Sequence, residues 1–354
     1  MQKLRLGIIG AGTIGRLHAK NISLYIPEAE VLMVADAIEK AAQSCAREFG
    51  IPTAVTDYHK VLNNEAIEAI LICTPGSTHA TIIREAAEKG KHIFCEKPLG
   101  LDLKEIDDAL AAVEKAGVKL QVGFNRRFDP SIHKAKELIA QGAIGRIYLV
   151  RITSRDPDIP SLEYLKTCGG LFFDTTIHDF DMVRYLTGDE VEELYASGSV
   201  LIDPELQKVG DIDTAIVMLQ FKSSTLGIIE NSRRAVYGYD QRLEVFGEKG
   251  MISVGNRPRD LVSLSDSNGV HFSPNVFFFP DRYPEAFVAE LRAFVKSVKK
   301  DTEPPVTGHD GRMAVVMAYA AKRSFEERRP VRLAEITDKK KGGTDESSSA
   351  SWGK

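Results

Sequence analysis

Leu4 to Ile9 form a short apolar run, Leu-Arg-Leu-Gly-Ile-Ile, that passes directly into Gly10-Ala11-Gly12-Thr13-Ile14-Gly15. The chain turns amphipathic from Arg16, and a second apolar run, Val31 to Ala35, ends in Asp36. Strand, G-x-G-x-x-G, helix, strand and acid, in this order, describe a βαβ unit that holds a dinucleotide. Each glycine has its own reason. Gly10 permits a tight turn, Gly12 lacks the Cβ that would keep a pyrophosphate away, and Gly15 lets the helix lie close on the strand. The helix N-terminus offers unpaired N–H groups and the positive end of a dipole to the phosphates. Gly10, Gly12, Thr13, Ile14 and Gly15 are therefore candidate cofactor-binding positions. The bland alternative is a glycine turn used only for packing.

Asp36 bears on which dinucleotide is held. A carboxylate roughly 20 residues past the glycines can accept hydrogen bonds from an adenosine ribose. The same charge repels the 2′-phosphate of NADP. Ala37 and Ile38 follow, and Lys40 is the nearest base. The expected cofactor is NAD.

At 354 residues the chain is long enough for two domains. A net charge of −4 and 27% charged residues give no reason to expect a nucleic-acid partner. No apolar run approaches the roughly 20 residues that span a bilayer, so no membrane partner is expected either. The sequence opens on its first strand, so no signal peptide is expected. The four cysteines, Cys45, Cys73, Cys95 and Cys168, include no C-x-x-C pair. They read as free thiols in a reducing cytoplasm.

Beyond Asp36 the pattern alternates. Helices are expected at 38–49, 59–63, 78–89 and 102–116, the last capped by Asp102 and ended by Gly117. Strands are expected at 69–73, 91–95 and 119–123. This β-α alternation implies a parallel sheet with helices on both faces. Ligands of such sheets bind outside the carboxyl ends of the strands, so Gly10, Thr74, Pro75, Glu96, Lys97 and Asn125 should converge on one edge. Past residue 125 the spacing changes. Helices are expected at 130–141 and 174–187, then strands at 147–154, 191–201, 212–221, 225–232, 239–246 and 250–254. Short turns between them imply a mostly antiparallel sheet. Helices at 285–299 and 309–328 should close the fold at the junction. The reading is a Rossmann dinucleotide-binding domain over 1–124 and an α+β domain with a large open sheet over 125–337. The Lys-, Gly- and Ser-rich tail, 338–354, cannot bury apolar surface and reads as disordered.

Two further clusters carry chemistry. Glu96-Lys97-Pro98 ends the strand at 91–95, where an ammonium can stabilise an alkoxide or polarise a carbonyl. The competing reading is a surface lysine paired with Glu96. Asp174-Thr175-Thr176-Ile177-His178-Asp179-Phe180-Asp181 places Asp174 and His178 on one face if the stretch is helical. A histidine near its ordinary pKa can take a proton at neutral pH. Here the alternatives are a capping aspartate with a packed histidine, or a metal site built from the neighbouring acids. No third histidine or cysteine pair supports the metal, and none is expected.

The glycine motif, Glu96-Lys97-Pro98 and Asp174-x-x-x-His178, in this order, resemble the Gfo/Idh/MocA oxidoreductases. Gly123-Phe124-Asn125-Arg126-Arg127-Phe128-Asp129, Ile152-Thr153-Ser154-Arg155-Asp156-Pro157 and Tyr237-Gly238-Tyr239-Asp240 are similar to the branch that acts on inositols. The resemblance covers about residues 4–335. It implies an NAD-dependent oxidation of a secondary alcohol of a cyclitol, with Lys97, Asp174 and His178 catalytic. It implies cofactor contacts at Thr74, Pro75, Glu96 and Lys97 as well as at the glycines. It implies that Lys97, Arg127, Asp156, Asp174, His178, and Tyr237 or Tyr239 hold the polyol. It implies a homotetramer formed through the outer face of the second sheet. An aldose or keto-sugar substrate, a non-catalytic NAD sensor and a metal-dependent isomerase remain as alternatives.

Overall fold

The structure is a computed structural model and describes residues 2–337. The expected tail at 338–354 lies outside the described residues.

The first sheet has six strands, β1 (Leu4–Ile9), β2 (Ala29–Ala35), β3 (Thr53–Val55), β4 (Ala69–Ile72), β5 (His92–Glu96) and β6 (Leu120–Gly123). Their order is β3-β2-β1-β4-β5-β6, and every pair is parallel. The order reverses between β1 and β4, which opens a crevice above their carboxyl ends. Helices α1 (Thr13–Tyr25), α2 (Glu39–Phe49), α3 (His59–Leu62), α4 (His79–Glu88) and α5 (Leu103–Ala116) connect the strands. β4 is buried along its whole length, as a central parallel strand covered on both faces must be. Asp102 accepts from Glu105 N at 2.8 Å and so caps α5, and Gly117 ends that helix at φ +64°.

A 3-10 turn, Asn125–Phe128, leads from β6 into α6 (Pro130–Ala140). The second sheet then forms from β7 (Ile147–Arg155), β8 (Val191–Ser199), β9 (Thr214–Phe221), β10 (Leu226–Ser232), β11 (Asp240–Gly247) and β12 (Gly250–Val254). Three helices, α7 (Leu162–Leu165), α8 (Leu171–Asp174) and α9 (Thr176–Thr187), lie between β7 and β8. An exposed hairpin, β13 (Ser263–Asp266) and β14 (Gly269–Phe272), follows β12. The chain continues through α10 (Phe279–Arg282), α11 (Pro284–Lys300), α12 (Gly308–Glu327), β15 (Val331–Arg332) and α13 (Ala334–Thr337). The second sheet runs β12-β11-β7-β10-β9-β8-β15 and is antiparallel except between β7 and β10. α9 and α12 cover one of its faces.

The late helices return to the first sheet. Leu291, Phe294 and Val295 of α11 share a buried cluster with Leu6 and Ile8 of β1 and Leu71 of β4. Val122 N donates to Val306 O at 3.1 Å, which ties β6 to the segment before α12. The crevice therefore sits over a floor stitched together from both ends of the chain. Among the described residues no helix is long and apolar enough to cross a membrane.

Candidate active site

A cavity of about 1240 Å³ opens at the carboxyl ends of β1, β4 and β5 and reaches the second sheet. That is larger than most single-ligand pockets, at roughly 300–1,000 Å³, and leaves room for a dinucleotide and a small second molecule.

Its cofactor wall is largely backbone. A Cβ on Gly10, at φ +100°, would meet Cys73 O at 2.5 Å, and one on Gly15 would meet Gly10 O at 1.9 Å. Gly15 therefore packs α1 onto β1 and does not itself line the cavity. Gly12 is different: nothing lies within 4 Å of where its Cβ would be, so its backbone faces open space. α1 has no side-chain cap and no acid in its first turn. Its unspent N–H groups thus remain for an anion, as a pyrophosphate requires. Asp36 lines the same cavity and is held by two backbone donors, Ala11 N at 2.7 Å to Oδ2 and Ile38 N at 2.8 Å to Oδ1. These residues fit NAD. Thr13, Ile14, Thr74, Pro75, Glu96 and Lys97 also line the cavity. His79, unmarked in the sequence, bridges Thr74 O and Pro98 O at 2.7 Å each and so fixes two cavity loops to one another. The Lys97–Pro98 peptide is cis.

The opposite wall is built from charged side chains. Lys97 Nζ donates to Asp174 O at 2.9 Å and lies 3.4 Å from Asp174 Oδ1. Asp174 closes α8 and His178 stands in α9, with Thr175 between the two helices. They are thus not on one continuous helix. Asp174 turns to Lys97, Tyr164 and Arg233 and makes no hydrogen bond to His178. The His178 ring packs edge-on to Phe124 at 5.9 Å, and its Nδ1 is buried without a partner. Burial first, then the charges of Arg126 and Lys97, push its pKa well below the ordinary histidine value. It is a neutral imidazole at physiological pH. Asp156 goes the other way: burial and the Asp174 charge raise it to about 6, against Arg233 and Arg126. Thr175 Oγ1 donates to it at 3.2 Å.

Arg126 and Arg127, the adjacent arginines ahead of α6, are both buried, and of the two Arg127 is the one expected to hold the polyol. Arg126, not Arg127, reaches the cavity. Its guanidinium donates to Asp179 Oδ1 at 2.8 Å and to the Tyr239 hydroxyl at 3.4 Å. Arg127 points away and grips Asp181, with Nε to Oδ2 at 2.8 Å, while Asp310 Oδ1 lies 3.0 Å from its Nη2. The 3-10 turn separates these neighbours by roughly a third of a rotation, which a linear reading does not resolve. Tyr239 lines the cavity, whereas Tyr237 lies outside it, bonded to Asp240 at 2.6 Å and Arg155 at 2.7 Å. Lys97, Asp156, Asp174, His178 and Tyr239 are therefore brought together, and Arg127 and Tyr237 are not. Tyr164, Thr175 and Arg126 join the wall without having been singled out as candidates.

Asp179 and Asp181, the acids of the rival metal reading, are spent on Arg126 and Arg127. Among the described residues, His18, Glu96 and Glu290 are the group with ligand-like spacing. His18 Nε2 lies 2.6 Å from Glu96 Oε1, while burial and the Glu96 charge push Glu290 well above the carboxylate range, so that it is neutral.

Residues 4–124 match the oxidoreductase family with an NAD-binding Rossmann fold, and residues 132–253 match the GFO/IDH/MocA C-terminal domain. The chain is similar to the myo-inositol 2-dehydrogenase of Thermotoga maritima, with 46% identity over 333 residues, 94% of this chain and 99% of the relative. It is 42% identical over 331 residues to the inositol 2-dehydrogenase of Rhizobium meliloti, again 94% of this chain and 99% of the relative. The crystal structure of a scyllo-inositol dehydrogenase from Lactobacillus casei, with bound NAD(H) and scyllo-inositol, matches at TM-score 0.89 and 32% identity. That match covers 94% of this chain and 100% of the other.

Proposed function

The chain belongs to the Gfo/Idh/MocA oxidoreductases, NAD-binding at the N-terminal sheet, and from that premise we propose that it oxidises a ring hydroxyl of an inositol, myo-inositol at C2 first, to the ketone. One observation carries the reading. Lys97, just past the end of β5, and His178 of the second fold unit line the same cavity as the glycine turn and Asp36.

When bound, NAD supplies the hydride acceptor. The rest of the step falls to the protein. The substrate O–H proton goes to neutral His178 as the C–H bond gives up its hydride and the C=O forms. Lys97, oriented by Asp174, faces the oxygen on which negative charge develops and stabilises it. Burial first, then the charges of Arg126 and Lys97, keep His178 neutral, so it enters the step with a free lone pair for that proton. Arg126, Asp156 and Tyr239 offer donors and acceptors to the remaining hydroxyls.

Support for assembly comes from the open face of the second sheet. Leu226, Phe246 and Met251 are exposed there and fall in one cross-strand row through Leu149. Such a patch on a sheet face fits burial between copies, and the reading is a homotetramer acting in the cytoplasm. The test of function is a panel of inositols, aldoses and keto-sugars with NAD and with NADP, followed by absorbance of the reduced nicotinamide. Turnover confined to sugars, or to NADP, would overturn it.

A further inference from the structure

Asp174 is held on both carboxylate oxygens. The Tyr164 hydroxyl donates to Oδ1 at 2.7 Å, and Lys97 stands 3.4 Å from the same atom. Arg233 Nη1 donates to Oδ2 at 3.3 Å. Arg233 is the first residue beyond β10 and is 0% exposed, among the largest fully buried side chains of the protein. Its other arm, Nη2, donates to Asp211 Oδ2 at 3.0 Å. Asp211 Oδ1 in turn accepts from Leu171 N at 2.8 Å, the first residue of α8. The four-residue helix is thus gripped at both ends, by Asp211 at its first N–H and by Arg233 at the carboxylate of its last residue. A brace for α8 alone would need only Asp211. An arginine buried this completely carries a large desolvation cost, and here one of its arms goes to the carboxylate that orients Lys97.

We propose that Arg233, braced by Asp211, is a positioning residue for the alcohol oxidation: it holds Asp174 by Oδ2, so that Oδ1 meets Tyr164 and Lys97, and it shares the carboxylate charge, so that Lys97 is aimed without being captured. The proposal rests on the functional reading above. Without Arg233, Asp174 is free to turn and Lys97 becomes its sole cationic partner. The ammonium then closes onto the carboxylate and away from a substrate oxygen.

The charged and titratable groups facing Asp174 are Lys97, Arg233, Tyr164, Asp156 and Cys168. Lys97 and Arg233 hold Asp174 below its ordinary value against burial, and Arg233 also lowers Asp156. Loss of Arg233 therefore moves both acids upward, and the acid limb of turnover with them.

The test compares wild type with Arg233→Met/Asp211→Asn, which removes one charge of each sign, and with Arg233→Lys. Turnover, KM, NAD affinity and melting temperature are measured on the same preparations. The Asp174 titration is followed by the carboxylate infrared band, as the difference from Asp174→Asn. The expected results are unchanged NAD affinity, turnover lower by about 10–10²-fold as for a misplaced catalytic group, an acid limb and infrared midpoint at higher pH, and partial recovery in Arg233→Lys. A double variant that melts earlier yet keeps its turnover and its midpoint would overturn the proposal. If the double variant does not fold, Arg233→Lys and Asp211→Asn carry the same measurements, and wild-type values in both would sink it. Failure of the wild type on every inositol contradicts the functional reading, whereas the infrared midpoint needs no substrate and still decides this one.

Discussion

The two walls of the cavity are made of different material. The cofactor wall is mostly main chain: the Gly10–Gly15 turn, the uncapped start of α1, and one carboxylate pinned by two backbone N–H groups. The substrate wall is mostly buried side-chain charge: Lys97, Asp174 and Arg126 line it, Lys97 on Asp174 and Arg126 on Asp179, and the Arg233 pairs with Asp174 and Asp211 back it from outside the lining. A wall of backbone is encoded by contiguous residues, so its sequence is its blueprint. A wall of ion pairs is encoded by residues scattered from Lys97 to Tyr239, and only the fold says which of them meet. The walls should also fail differently. Damage to the first should show in cofactor binding, and damage to the second in turnover, KM and pH dependence.

The sharpest way to break the first wall is Gly15→Ala. The added methyl would sit 1.9 Å from Gly10 O, a backbone atom that cannot swing aside. NAD affinity by calorimetric titration is expected to fall by about 10²-fold or more, the upper end of an overpacking penalty. Unchanged affinity would mean that the turn is not rigid. A smaller effect is expected from Asp36→Ala combined with Ala37→Arg. Removing the acid and adding a base should move the NADP-to-NAD preference toward NADP by about 10–10²-fold, and equal use of both cofactors by the wild type would contradict the role given to Asp36.

On the second wall, Tyr239→Phe loses the hydroxyl that meets Arg126. The bond that hydroxyl would make to a polyol hydroxyl is neutral, and its loss corresponds to a rise in KM of about 3–10-fold. Tyr237→Phe should leave KM unchanged, because that hydroxyl faces Asp240 and Arg155 outside the cavity. The reverse pattern would show that the polyol sits elsewhere. The smallest effect concerns Asp156, raised from 3.8 to about 6. A carboxyl with a raised folded pKa favours the fold while protonated, and that contribution is lost as pH climbs from about 4 through 6. Asp156→Asn cannot ionise. Its melting temperature should therefore gain on the wild type between pH 4.5 and pH 7.5, and an equal difference at both would contradict the assignment.

The same contrast explains what the chain's sequence reveals unaided. The βαβ fingerprint, the capped helix at 103–116 and the antiparallel neighbours β8–β9–β10 and β11–β12 are legible because each is local: a glycine triplet, a cap, a period of two. β3 is three residues long and carries too little pattern to stand out. The parallel pairing of β7 with β10 has no local mark, because residues 147–155 and 226–232 are joined only by register. Arg126 and Arg127 are adjacent and chemically identical, and a 3-10 turn sends one into the cavity and the other to Asp181. The break at Thr175 separates Asp174 from His178, although their i, i+4 spacing suggests one helix. Arg233 and Tyr164 carry no motif at all; their meaning lies in Asp174, 59 and 10 residues away.

His178 carries the proton step of the proposed oxidation. Turnover and melting temperature are to be measured on the same preparations of wild type and His178→Ala, with myo-inositol and NAD. Loss of a positioned proton acceptor should lower turnover by about 10²–10⁴-fold, roughly 3–5 kcal/mol of barrier, with NAD affinity unchanged. A folded His178→Ala protein that turns over at a near-normal rate would contradict the account.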